Sequence, residues 1–233
     1  MGSSSGRPGS DGRVTRWTGQ RERRRHEFVE AALRAIAEHG PDVTTERIAE
    51  AAGVARAQIY RHFDDATDLQ RAIADRATQA ITAALRPVWE PQGSALQMIF
   101  VAVDAHTGWV AANGELYRYL MRHSQIGRSA GQDAIVDVKT IIARQLTQVF
   151  EFYLNAFELD ARIADVLSFG VVGLVDSSVT QWLNSPQGID RPQLTDMLTR
   201  WVWHILNDSL RAAGIEIDPD LPLPPPPPAT PPA

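Results

Sequence analysis

Apolar residues in this chain recur at helical spacing, and no stretch alternates long enough to make a half-buried strand. That pattern predicts an all-α fold. Glycine and proline cut it into segments. A first helix is expected from about Arg21 to His39, burying Phe28, Ala32, Ala35 and Ile36, with Gly40 and Pro41 to end it. A second runs from Thr44 to Gly53, a short third from Ala55 to Phe63, and a fourth from about Asp65 through Leu69, Ile73 and Ala77 toward Leu85. Pro87 and Pro91 then break the periodicity and mark the expected domain boundary. Beyond them helices are predicted near 94–112, 115–124, 131–157, 161–184 and 191–213, about nine in all. The last is the best signalled, with Asp190 as N-cap, Pro192 in its first turn and Gly214 just past its end.

The charge is divided as sharply as the helices. The net value of −5 hides seven arginines against two acidic residues in positions 1–25, and ten basic against sixteen acidic residues after position 76. A basic arm on an acidic body suggests DNA affinity confined to one end. The expected domains are a flexible basic arm over 1–20, a DNA-binding unit over 21–86, a second helical unit over 87–214 and a disordered, proline-rich tail over 215–233. At 44% apolar content the chain can build a sizeable core, and with no cysteine it suits a reducing cytoplasm. The longest apolar stretch, Val166 to Val175, is shorter than a membrane span needs, so no membrane partner is expected.

The segment from Thr44 to Phe63 fits two short helices meeting at a sharp angle. Ile48, Ala49 and Ala52 form an apolar stripe, Gly53 supplies a left-handed turn, Val54 plugs the corner, and Ile59 and Phe63 face inward. At about 100° per residue, Ala57, Gln58, Arg61 and His62 then occupy the outer arc, with Arg56 and Tyr60 on its flanks. Arginine pairs with guanine, glutamine with adenine, and a small alanine admits a thymine methyl.

The same segment closely resembles the DNA-binding domain of the tetracycline-repressor (TetR) family. Thr44, Ile48, Ala49, Ala52, Gly53, Val54, Tyr60, Phe63 and Leu69 carry the resemblance, which is strong over residues 24–75 and architectural beyond. It implies a helix-turn-helix that grips double-stranded operator DNA. Thr45, Tyr60 and His62 would touch phosphates, while Arg56, Ala57 and Gln58 face bases, with Thr44 and Arg61 beside them. Ala55 stands where the family usually has serine, and Ala66 where it has lysine, so one helix cap and one phosphate contact are missing. Family members with N-terminal extensions permit the arginines of residues 13–25 to act as a minor-groove arm; the alternative is a solvated tail.

No enzyme is expected. His26-Glu27-Phe28-Val29-Glu30 lacks the second histidine of a zinc-protease helix, the other histidines are scattered, and no phosphate loop or nucleophile elbow is present. Neither a metal nor a cofactor is therefore predicted.

A helix-turn-helix reads a half-site, so a homodimer is expected. Its candidate interface lies on the last two helices, with Leu174, Ser178, Trp182, Leu198, Trp201 and Ile205, while Gly170, Gly173 and Ser177 permit close helix approach. The middle helices are rich in aromatic residues, which suggests a cavity for a small apolar effector. Its candidate lining is Phe100, His106, Trp109, Tyr117, Arg122, Phe150, Tyr153 and Asp176, with Asn113 and Asn155 as further polar anchors. The leading function is a ligand-responsive repressor; an effector-free activator or architectural protein, and a helical interaction module without DNA, are the other two readings.

Overall fold

The computed structural model describes residues 11–89, 92–123, 134–185 and 187–225. Among the described residues the order is α1 (Asp11–His39), α2 (Thr45–Ala51), α3 (Arg56–Ile59), α4 (Ala66–Ala84), α5 (Ala95–Ala112), α6 (Gly114–His123), α7 (Ala134–Ala156), α8 (Ala164–Asn184) and α9 (Arg191–Ala212). Single 3₁₀ turns at Arg86–Trp89 and Ala161–Ile163 precede α5 and α8. The only extended pairing among these residues is an isolated bridge between Ser94 and Pro222. The all-α expectation holds, and so do most helix limits, because the caps are local. Asp190 caps α9 in a reciprocal capping box with Gln193, and Gly214, at φ +78, follows its end.

The chain divides into two compact units, Met1–Arg76 and Ala77–Ala233. The boundary expected at Pro87 is thus displaced into α4. Leu69 and Ile73 on its first half are buried in the first unit, while Ala77, Ile81 and Leu85 face inward in the second, and the helix has no proline to interrupt it. The first helix also begins earlier than predicted, at Asp11 rather than Arg21. No proline intervenes between Asp11 and His39, and propagating an anchored helix adds one hydrogen bond for each residue fixed. Residues 11–20 of the expected flexible arm are therefore helical. Residues 1–10, including Arg7, and the side chains of Arg13 and Arg16 lie outside the described residues, as do 124–133 and 226–233.

In the first unit Phe28, Ala32, Ala35 and Ile36 of α1 close over Ile48, Ala49, Ile59 and Phe63. In the second, α5 packs along α9 and α7 along α8. The α5–α9 seam is pinned by the buried Thr107 and Thr195 hydroxyls, 2.9 Å apart, and by the Arg191–Asp104 ion pair. Ala95–Ala112 and Ala161–Asn184 are long and apolar enough to cross a membrane by length and composition. Both are built into the second unit, burying Thr107 on one and Ser168 and Asp176 on the other.

Candidate nucleic-acid interface and ligand cavity

The corner between α2 and α3 is set by two local devices. Thr44 caps α2, its hydroxyl accepting from the Arg47 amide at 3.4 Å. At the other end Gly53 takes φ +67, while its amide donates to Glu50 and the Val54 amide to Ala49, both at 3.0 Å. That pair of bonds is a Schellman turn, which satisfies the last carbonyls of α2 and redirects the chain. Ala55 opens α3 in the geometry of a cap but without a side-chain hydrogen bond.

Arg56, Ala57, Gln58 and Arg61 are exposed, as expected of a recognition surface, and Thr45 and Tyr60 are half-buried. The Arg56 guanidinium pairs with Glu46 at 2.7 Å and lies over the Tyr60 ring, 5.3 Å from its centre. Hydrogen bonds from Thr45 and then Arg56 draw the Tyr60 hydroxyl below its ordinary pKa. The residues expected to touch phosphate and base therefore form one cluster joining the start of α2 to α3. His62 departs from the outer arc. After Ile59 the chain tightens into bonds spanning three residues, Arg61 to Gln58 and His62 to Ile59, so each residue turns through more than 100°. The His62 ring ends 5.4 Å from that of Phe28, with Nδ1 buried and without a hydrogen-bond partner among the described residues.

Sequence reasoning missed the bond that holds this corner to α1 and α4. Arg25 donates to both carboxylate oxygens of Asp68 at 2.9 Å and to the His62 carbonyl at 2.5 Å, and its guanidinium lies 4.2 Å from the Phe63 ring centre. The bidentate hydrogen bond from Arg25 holds the Asp68 carboxyl at about 2. Arg24 pairs with Glu27 at 2.7 Å.

The second unit holds a partly open cavity of about 240 Å³, walled by α4, α5, α6, α7, α8 and α9. Of the residues proposed as effector lining, His106, Trp109, Tyr117, Phe150, Tyr153 and Asp176 face this cavity. Phe100 and Arg122 do not. Phe100 is 47% exposed on the outer side of α5, a helix apolar on most sides, so its aromatic residues carry little sign of which way they face. Arg122 is exposed in the last turn of α6, where a cation favours the helix C-terminus. Asn113 caps α5 by donating to the Trp109 carbonyl at 2.9 Å, and Asn155 is exposed.

The chain after α9 is not a free tail over its described length. The Leu223 amide donates to the Gly93 carbonyl at 3.0 Å, the Leu96 amide to Pro219 at 3.3 Å, and the Tyr153 hydroxyl to Pro224 at 3.0 Å. Ile217 and Leu223 enter the cavity wall. Proline lacks a donor but keeps its carbonyl, and apolar residues set between the prolines have a surface to cover.

On the last two helices Trp201 and Ile205 are exposed, at 43% and 42%, as an interface requires. Leu174, Ser178 and Trp182 are half-buried, Trp182 donating to the Ile189 carbonyl at 2.7 Å. Leu198 is fully buried among α5 and α8 side chains, so it serves the core of its own subunit. The outward face of α8 instead carries Val166, Phe169, Gly170, Gly173 and Ser177, which fall within one arc of the helix.

The sequence profile described as bacterial regulatory proteins, tetR family, matches residues 28–73. An HTH-type transcriptional regulator of Mycobacterium tuberculosis is 30% identical over 210 residues, covering 88% of this chain and 86% of that protein. A tetR-family transcriptional regulator from Streptomyces coelicolor superposes with a TM-score of 0.65 at 21% identity, covering 82% of this chain and 83% of that one. The transcriptional regulator FadR from Bacillus subtilis, solved in complex with stearoyl-CoA, gives 0.56 at 20% identity, covering 76% and 96%.

Proposed function

This chain belongs to the tetR family of bacterial regulatory proteins, DNA-binding transcriptional regulators, and from that premise we propose that it is a cytoplasmic, homodimeric repressor released from its operator by a small, mostly apolar effector. The observation that carries the ligand response is the apolar cavity of the second unit. Ala77 and Ile81 in its wall belong to α4, the helix whose first half is built into the DNA-binding unit. An occupant that displaces these two residues acts on the helix that also supplies Leu69 and Ile73 to the first unit. The stearoyl-CoA bound by the Bacillus subtilis regulator supports an acyl-like body for the effector.

On the DNA side, Arg56, Ala57, Gln58 and Arg61 meet base edges, while Thr44, Thr45 and Tyr60 position the helix on phosphates. The Glu46 pair holds Arg56 in place until DNA competes for it. Dimerisation through the exposed faces of α8 and α9 would present two such corners to half-sites about 34 Å apart.

A mobility-shift titration with the DNA upstream of the chain's own gene tests this, with and without long-chain acyl compounds. Binding that weakens as ligand is added is the expected result. A complex indifferent to every ligand that binds the protein would sink the release mechanism, and no complex at all would sink the operator assignment.

A further inference from the structure

Almost every side chain facing the cavity is aliphatic or aromatic, and its most polar members gather in one place. Tyr117 donates its hydroxyl proton to Asp176 Oδ1 at 2.6 Å, Lys139 Nζ lies 2.5 Å from Asp176 Oδ2, and the Thr180 hydroxyl is 3.1 Å from that of Tyr117. Burial, and then the Asp176 charge, push the Tyr117 hydroxyl well above its usual pKa, so it stays a neutral donor. The group satisfies itself. One carboxylate faces one ammonium, and the set carries no net charge.

His106 stands near enough that both charges act on its imidazole, yet it shares none of these bonds. Its Nε2 is buried with no hydrogen-bond partner among the described residues. Burial also lowers its pKa, which favours the neutral ring. A neutral imidazole nitrogen left unpaired is an expensive arrangement; Nε2 is closed off in the ring's present orientation, and a guest toward which the ring turns to make the missing bond recovers the loss.

The three simplest kinds of ligand head differ in what they offer this atom. A hydrocarbon end leaves it orphaned. A carboxylate brings a second anion near the buried Asp176, whose counter-ion Lys139 is already engaged. An uncharged oxygen adds no charge and completes the bond. A hydroxyl serves either imidazole tautomer, and a carbonyl serves the one carrying its proton on Nε2.

We infer that His106 Nε2 recognises the head of the effector, and that this head is a hydroxyl or carbonyl oxygen on an apolar body, not a free carboxylate or a bare hydrocarbon. The assignment rests on the cavity being the effector site. Four probes of matched length, decanol, methyl octyl ketone, decanoate and decane, are titrated into the full chain while fluorescence from the lining Trp109 and the other tryptophans is followed. The same titrations are run on His106→Phe and His106→Gln. Decanol and the ketone should bind roughly tenfold tighter than decane and tighter than decanoate. His106→Phe should bind decanol, the ketone and decane alike, with decanoate still disfavoured by Asp176, and His106→Gln, which keeps a hydrogen-bonding group, should retain the preference. If His106→Phe does not fold, the wild-type ranking and His106→Gln still decide. Decanoate or decane binding as tightly as decanol, or an oxygen preference that survives in His106→Phe, overturns the role of His106 and leaves the cavity as effector site. No binding of any probe to the wild-type chain overturns both.

Discussion

Arg25 belongs to a run of arginines that looks, in sequence, like one basic surface, yet it is committed to Asp68. The carboxylate also accepts from the Asp64 amide at 3.1 Å, so it ties α1 to the start of α4 behind the DNA-facing corner. Its carboxyl is held at about 2, against 3.8 for the free group. A depressed native pKa contributes stability that is complete above the unfolded value and is lost as pH falls through the native one. Asp68→Asn should therefore destabilise the first unit by about 2 kcal/mol at neutral pH, because Arg25 loses its charged partner. Urea unfolding of both proteins should show this gap closing between about pH 4 and pH 2, and a constant gap would mean that the pair contributes through packing alone. A second residue-scale outcome concerns Ala55, which already has cap geometry at φ −73 and ψ 144. Ala55→Ser should raise stability by about 1 kcal/mol, seen as a higher urea midpoint at unchanged slope. Gly53 and the missing cap were readable because each depends on immediate neighbours. Arg25 with Asp68, 43 residues apart, and the inward turn of His62 were not, since both depend on how α1 lies across the corner.

At the scale of elements, helix ends were legible and helix faces less so. Capping residues are read locally, whereas α5 and α8 are apolar on most sides, and composition alone does not say which side meets the core. Hence Phe100 of α5, expected in the cavity wall, is exposed; Leu198, expected at an interface, lies on the apolar stripe that α9 turns to its own core, and a leucine alone does not say which of the two it meets. A better sign was present in α8, where Gly170, Gly173 and Ser177 recur on one face; a Cβ added at either glycine meets nothing within 4 Å, so their smallness is not needed inside the subunit. The segment after α9 was misread for a related reason. Proline content suggested solvation, but Ile217 ahead of the prolines and Leu223 between them line the cavity. Truncation after Gly214 should therefore lower the thermal midpoint and speed amide exchange at Leu96, whose bond to Pro219 is lost. An unchanged exchange rate there would show the segment to be a spectator.

At the scale of the molecule, the open question is what covers the exposed apolar side chains of α8 and α9. Val166 at 75% exposure, with Phe169, Trp201 and Ile205 above 40%, is more apolar surface than a lone subunit commonly leaves on two adjoining helices. A symmetric partner presenting the same face would bury all of it, and glycines on that face would let the helix backbones approach closely. Gly173→Arg separates this reading from a purely internal role. Within one subunit the substitution replaces a helical glycine by a good helix former with open space around the new Cβ, so stability should stay level or rise by up to about 1 kcal/mol. Across an interface the same side chain would force a cation into the contact. The expected result in light scattering is a folded particle at the 25.7 kDa mass of one chain. DNA affinity should fall with it, by roughly a hundredfold to ten-thousandfold, because the second half-site would no longer be met at the high effective concentration a tethered partner provides. Wild-type mass and affinity in the variant would place the interface elsewhere, whereas an unfolded variant would show that Gly173 is needed within the subunit after all.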